Sequence, residues 1–589
     1  MDDIGYRRDG HDRRSSRVDV QMSQPAAPQA TAPVPPPTPP YRPSRVLIGL
    51  ALTVPAVIAW VWSYVLPTLS TAARSFQADG PRRSGESVGT ANYEAAFTDG
   101  VVGQIGFAVL LGLVPLAVAL LAAPLLAVLA DRAGRVARLV TRGVLALPLA
   151  AYAPVAVFLG RRAEHIENGT FTQELQSPRT LLVSALAQVT FGLVVAVAAT
   201  LYLSALRRRE PDQRPAPAML AVGGLLGLSV LAAALQTYTA PYILTGGGPR
   251  GDDTATPVFT AAQTSFRTMR LGAGSATSTL LLVLLGLLGL AAVALILATR
   301  LRIEFDGWRD DPAVREAESY SGRRPLLVGL TAVALVVVLG VTVWASLPWL
   351  RNLSADTGPL PRGVETSNLF ANTWVPPLLS TLIAVALAAL AGFGIGALRP
   401  LGRYSELLLV PFAPWLFVGV GPLAIAGFER TRELDQLGLF LGLVPPTWLS
   451  VPALFAFTLL FRGQHERWRS GGGVGRTLLL PALPMLAVTT LATWLAHVQS
   501  PLWGMLVGRG PDSLTAPALV TMIAGRAFGA GGELPLGLIL PLPILLLFVL
   551  LFVALMVGYV DRLAIRVGRR SGADAPPARA GEPVGKVTA

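Results

Sequence analysis

Side chains able to do covalent chemistry are scarce in this 589-residue chain and poorly placed for it. There is no cysteine, which removes disulfides, thiolate nucleophiles and cysteine metal sites. The four histidines, His11, His165, His465 and His497, lie far apart and form no metal-spaced pair. The single lysine, Lys586, precedes a valine, so the G-K-[ST] of a phosphate-binding loop is missing. Any ATP that drives this protein is bound by a separate subunit. No G-x-S-x-G stands in the strand–turn–helix setting of a nucleophile elbow, and no H-E-x-x-H occurs. The chain reads as a protein without catalytic residues or a cofactor of its own.

What remains is chemistry of recognition. Gln236, Tyr238 and Thr239 close one long apolar stretch, and Trp494, His497 and Gln499 hold the matching place later in the chain. Amide, hydroxyl and ring groups of this kind line a path for a polar solute, although aromatic residues at such places also serve as interfacial anchors. Acidic groups inside the apolar stretches are few, which argues against a carboxylate relay for protons or sodium. Between the two sets lies Thr245-Gly246-Gly247-Gly248-Pro249. Three glycines open backbone angles closed to other residues, and proline then fixes the exit. Non-helical backbone near membrane depth must be buried in protein or line a cavity. The loop is therefore either a re-entrant turn or binding-protein contact, or an ordinary external loop.

These groups need a membrane to make sense. The chain is 52% hydrophobic and 14% charged, where soluble domains carry roughly 25% charged residues. Its apolar residues fall in blocks of about 20, the length of a membrane-crossing helix. Such blocks place spans at about 46–69, 104–130, 141–160, 180–205, 217–237, 274–299, 325–348, 374–398, 405–427, 437–461, 477–497 and 534–560. The expected fold is all-α and integral to the membrane, with about twelve helices. The net charge of +13 would point to nucleic acid in a soluble protein. Here the arginines sit in alternate loops, which marks those loops as cytoplasmic and puts both termini inside. The partner this charge implies is lipid, not nucleic acid. Forty-eight basic residues less that one lysine leave 47 arginines, the bias of a GC-rich, bacterial genome. A multi-pass protein of a bacterial plasma membrane is expected.

The organisation reads as a polar tail (1–45), a six-helix half (46–300), a charged linker (301–324), a second six-helix half (325–570) and a closing tail (571–589). The tail prolines and late first apolar run argue against a cleaved signal. The halves echo each other: Gly248-Pro249 precedes Thr254-Ala-Thr-Pro257, and Gly510-Pro511 precedes Thr515-Ala-Pro517. Duplicated halves are common in transporters.

The run from Pro241 to Pro249, then Thr254–Pro257, Phe266 and Leu271-Gly-Ala-Gly-Ser-Ala276, resembles the external loop and last helix of membrane subunits of sugar-importing ABC transporters, the maltose and glycerol-phosphate type. Ala91-Asn-Tyr93 is similar to the segment before their next helix. Leu480-Pro481 through Pro501-Leu-Trp503 is similar to the fifth helix and following loop of the partner subunit, with His497, Gln499 and Ser500 in place of the usual pair. The resemblance implies two permease subunits fused in one chain. It further implies cytoplasmic ATPase subunits and an extracellular solute-binding protein as partners, with Thr245–Pro249 as the external contact.

Departures from that family matter. It places docking helices after the fourth span of each half, where this chain has Arg207, Arg208 and Arg209 in one loop and Arg467, Trp468 and Arg469 in the other. Pro211 and Pro215 break the first loop as a helix, and Gly471–Gly473 weaken the second. These six residues are the candidate ATPase contact, with Trp468 the one large apolar anchor; positive-inside anchoring accounts for the arginines equally well. Glu94-Ala-Ala-Phe-Thr-Asp-Gly100 matches the docking motif in letters but follows the first span, on the external side. Ala127 to Arg135 is similar to a loop of major-facilitator transporters, which keeps a secondary transporter open as a reading, beside a permease-derived scaffold that transports nothing. Single cysteines placed at positions 94 and 250 of this cysteine-free chain are expected to react with an impermeant maleimide added outside the cell. Reaction from the cytoplasmic side alone, at either position, would sink the topology.

Overall fold

Without water, a backbone segment satisfies its own polar groups only as a helix, and the long apolar blocks fold that way. The computed structural model describes residues 43–79, 85–207, 214–247, 254–305, 325–353, 360–471, 473–527 and 534–568. In chain order its helices are α1 (Ser44–Arg74), α2 (Ala91–Thr98), α3 (Val101–Arg132), α4 (Arg135–Ala150), α5 (Pro154–Glu167), α6 (Pro178–Leu206), α7 (Ala216–Leu235), α8 (Pro257–Ala262) and α9 (Leu271–Thr299). They continue with α10 (Pro325–Arg351), α11 (Thr366–Leu398), α12 (Ala424–Glu433), α13 (Val451–Arg469), α14 (Gly475–Val498), α15 (Pro501–Val507), α16 (Ala516–Ala527) and α17 (Leu542–Arg562). Among the described residues, nine of these are long and apolar enough to cross a membrane, or ten if the bent pair α4–α5 is one span.

Three of the twelve expected spans take another form. The span expected at 141–160 is the pair α4–α5, bent by 73° ahead of Pro154, because the residue before proline is pushed out of the helical region. The span expected at 405–427 is a 3₁₀ segment, Gly402–Trp415, followed by short turns and α12. Pro411, Pro414 and Pro422 remove the donors an α-helix would need there. The span expected at 437–461 becomes regular helix only at Val451, after Pro445 and Pro446. Helix α13 then runs on through Arg462–Arg469, so this stretch is helical where a weakened loop was expected. Part of the expected linker is also ordered: β1 (Arg302–Phe305) pairs antiparallel with β2 (Leu563–Arg566), Ile303 facing Ile565. The rest of the linker, the closing tail and the first tail up to residue 42 lie outside the described residues, and Ser44 and Arg45 already belong to α1.

The packing is reciprocal between the two halves. The last helix of the first half, α9, packs on the 3₁₀ segment 402–415, and the last helix of the second, α17, packs on α4. Helix α10, which opens the second half, lies on α5 and α6 of the first, with Arg161 over the Trp344 ring at 4.8 Å. Helix α1 does the converse. Trp60 sits against Phe412 and Trp415 at 5.0 and 5.3 Å, and the Tyr64 hydroxyl donates to the Leu449 carbonyl at 2.9 Å. From Ser44 onward the chain is one compact unit.

Lipid supplies no hydrophobic drive between helices, so close packing of small residues holds such interfaces. A Cβ built on Gly289 of α9 would lie 2.0 Å from the Ala413 carbonyl oxygen, a backbone atom of the other half. Gly289→Val is expected to destabilise the detergent-solubilised protein by about 1–3 kcal/mol, an overpacking cost, read as a lower melting temperature. Gly329→Val, at a site with nothing within 4 Å, is expected to leave it unchanged.

Candidate functional site

A cavity of about 390 Å³ opens where the two halves meet. Tyr238, Tyr242, Gln263, Phe266 and Arg267 line it from the first half, and Leu502, Met505 and Leu506 of α15 close it from the second. Its position follows from three breaks in helical structure. After α7 the chain makes a π-turn at Pro241–Thr245, after α8 another at Gln263–Arg267, and Pro501 starts α15 afresh. Tyr238 and Tyr242 come four residues apart on one face, so their rings stack at 5.2 Å with an 18° tilt. Phe266 meets Phe428 edge-on at 5.1 Å beside them. Burial raises the Tyr238 phenol well above its usual range, with Tyr242 adding to the shift, so its hydroxyl stays a neutral donor. The cavity therefore offers an aromatic face, two phenols, an amide and one cation, Arg267. That set suits a polar solute with a flat or ring-shaped body.

The expected path residues divide. Tyr238 is at the cavity. Thr239 is half-buried beside it and is not part of the lining. Gln236 points elsewhere: its amide nitrogen donates to the Ala232 and Phe417 carbonyls at 3.0 and 2.7 Å, and its oxygen accepts from the Gly419 amide at 2.8 Å. It clamps first half to second. None of the second-half trio lines the cavity. Trp494 donates to the Trp374 carbonyl at 3.0 Å and packs edge-on against that ring. The His497 ring nitrogens face Thr381 and Thr447 at 3.3 and 3.4 Å, in a polar knot that includes Ser380. Buried Gln499 donates to the Ile539 carbonyl at 3.4 Å, and its amide oxygen has no partner among the described residues. Sequence reasoning missed Tyr242, Gln263 and Arg267. Tyr242 sits inside the motif that carried the resemblance; Gln263 and Arg267 gave no signal, because only the tertiary fold brings them to α15.

The glycine loop is closed on itself. The Thr245 and Thr254 hydroxyls bond at 2.7 Å, the Thr254 amide donates to the Gly247 carbonyl at 3.2 Å, and Arg162 donates to the Ile243 carbonyl. Gly246 and Gly247 have φ of 58° and 99°, angles that favour glycine. Gly248 and Pro249 lie outside the described residues. Nearby, Arg74 meets Glu429 at 3.7 Å and Arg270 meets Asp79 at 3.7 Å, so this end mixes charge signs. Helix α2, with Glu94, belongs to this end, since Asn92 donates to the Ser75 and Gln77 carbonyls beyond α1.

The opposite end gathers the arginines, and several face inward. Arg207 reaches Asp561 at 3.8 Å and Arg467 donates to the Phe305 carbonyl. Trp468 is half-buried, with Arg45 over its ring at 5.7 Å. Arg469 is exposed; Arg208 and Arg209 lie outside the described residues.

Gln236→Leu removes both contacts of the inter-half clamp and leaves the Phe417 carbonyl and Gly419 amide without this partner. A loss of about 1–3 kcal/mol is expected, two hydrogen bonds at about 0.5–1.5 kcal/mol each, measured as a lower melting temperature of the purified protein. Compared with protein-family models, curated proteins and solved structures, the chain matches none.

Proposed function

We propose that this protein is a membrane transporter: a two-halved permease that moves a polar, sugar-like solute across a bacterial plasma membrane, with the Tyr238–Arg267 cavity as its outer solute site. The observation that carries the reading is that cavity, built by both halves at the end away from the arginine loops. Solute sites of transporters lie at the interface of repeated halves, next to broken helices. The reciprocal packing of the halves supports the reading, as does the resemblance of residues 241–276 to ABC importer permeases. The positive-inside rule then makes the arginine-rich end cytoplasmic, with Arg45 and β2 both there. About twelve crossings follow if the broken segments 402–433 and 434–461 each traverse the bilayer inside the bundle. On this reading ATP is hydrolysed by separate cytoplasmic subunits, and a solute-binding protein docks over the Thr245–Pro249 loop.

One observation favours a second reading. Arg207, Arg467 and Trp468, where an ATPase would engage, are turned to partners within the chain. That suits a permease that has lost its ATPase, working as a secondary transporter or as a scaffold.

Uptake of radiolabelled sugars and polyols by cells carrying the protein tests both. Tyr238→Ala is expected to lower uptake at limiting solute about tenfold, the loss of roughly 1.4 kcal/mol of binding, while Phe97→Ala on the exposed outer surface leaves it unchanged. Uptake that persists after ATP depletion and collapse of the ion gradients would end the importer reading; uptake that fails only on ATP depletion would support it.

A further inference from the structure

The arginine-rich end closes on itself through one repeated arrangement. Each half ends in a long helix followed by a short strand: α9 leads to β1 and α17 leads to β2. The strands pair with each other, Arg302 to Arg566 through Phe305 to Leu563. Each strand's root is gripped by arginines of the opposite half. Asp561, at the root of β2, meets Arg138 and Arg142 of α4, each at 3.2 Å, and Arg207 at the end of α6 at 3.8 Å. On the other side, α13 grips β1. Arg462 donates to the Leu301 carbonyl at 3.2 Å, and Arg467 donates to the Phe305 carbonyl. Gly463 lies so close that a Cβ there would stand 2.0 Å from the Ile303 carbonyl oxygen.

The grips come from α4, from the end of α6 and from α13, and α6 and α13 are the fourth spans of the two halves. Arg142 is fully buried and Asp561 nearly so. Three guanidinium groups converge on that one carboxylate, with Asp131 3.6 Å from Arg138 as a second, more exposed anion. A buried charge cluster of this kind holds only while its carboxylate is present, because removing it leaves cations facing one another out of water.

We infer that the β1–β2 ribbon is an intramolecular clasp: it locks the two halves together at the arginine-rich end and occupies the positions from which a cytoplasmic partner would engage the fourth-span ends. Opening that end requires Asp561 to release its arginines. A partner there must either displace the ribbon or seat on top of it. The clasp is a property of this packing and holds whether the chain carries solute or not.

The absence of cysteine allows a test that needs no substrate. Ala564, in the middle of β2, is fully buried. The variant Ala564→Cys, in proteoliposomes, reports opening through its rate of alkylation by a small maleimide. Slow labelling is expected with Asp561 in place. Asp561→Asn is expected to speed it about tenfold, the effect of easier local opening, and Asp561→Glu is expected to restore protection. Phe97→Cys, exposed at the other end, is expected to label at the same rate in all three backgrounds. Unchanged protection of Ala564→Cys in Asp561→Asn would overturn the clasp, and equal acceleration at Phe97→Cys would mean general unfolding and overturn it too. If Asp561→Asn does not fold, Ile303→Cys with Ile565→Cys decides: a disulfide that forms readily in the intact protein supports the pairing, and its failure to form under oxidation refutes it.

Discussion

A broken helix inside a membrane leaves backbone donors and acceptors that lipid cannot satisfy, and the arrangement of this molecule follows from how it meets that demand. The longest irregular stretch among the described residues runs from about 416 to 450, interrupted only by α12 and short 3₁₀ turns. Its polar backbone groups find side chains from elsewhere. Gln236 serves Phe417 and Gly419, Ser63 accepts from the Trp448 amide at 2.9 Å, and Tyr64 donates to the Leu449 carbonyl. Those three come from the first half. Ser380 and Trp503 take the Pro445 and Gly442 carbonyls from within the second. The halves are held together because one supplies the hydrogen bonds that the other's irregular backbone lacks.

That dependence explains what could be read from the sequence. Long apolar blocks state their own fold, since helix formation there needs no partner; α1, α3, α6, α7, α9, α10, α11, α14 and α17 were all legible. The blocks at 141–160, 405–427 and 437–461 are apolar too, yet Pro154, Pro411, Pro414, Pro445 and Pro446 divert them. Hydropathy counts carbon and does not count missing donors. The candidate site was legible in the same partial way. Tyr238 could be placed by its position at a span end. Gln236 could be noticed, but its bond to Gly419, 183 residues away, could not. Gln263 and Arg267 read as ordinary loop residues until α15 is packed across from them.

The arginines show a related limit. Their alternation along the chain gathers them at one end of the bundle, where Arg138, Arg142, Arg207, Arg462 and Arg467 come together. A topology rule treats each as a charge facing water and phosphate. In the fold, Arg142 is fully buried, and Arg399 and Arg462 share Glu406 at 3.1 Å each. Burial of this kind costs desolvation that only close pairing offsets. The charges that orient the chain also fix its internal geometry.

Helix α13 connects the two features that matter most. Its 19 residues span about 28 Å at 1.5 Å per residue. At one end Arg462 and Arg467 hold β1. At the other, just before its first turn, Thr447 bonds Ser380 and faces His497, while Leu449 accepts from Tyr64 of α1. No proline interrupts α13 beyond its first turn, and its packing against α11 is tight, with a Gly392 Cβ position 2.6 Å from Phe457. A helix so constrained moves as a rod. Displacing the ribbon from its arginine-bearing tip would therefore shift the Thr447–His497 knot and the α1 contact together, which ties the state of the arginine-rich end to the interior polar groups of the second half.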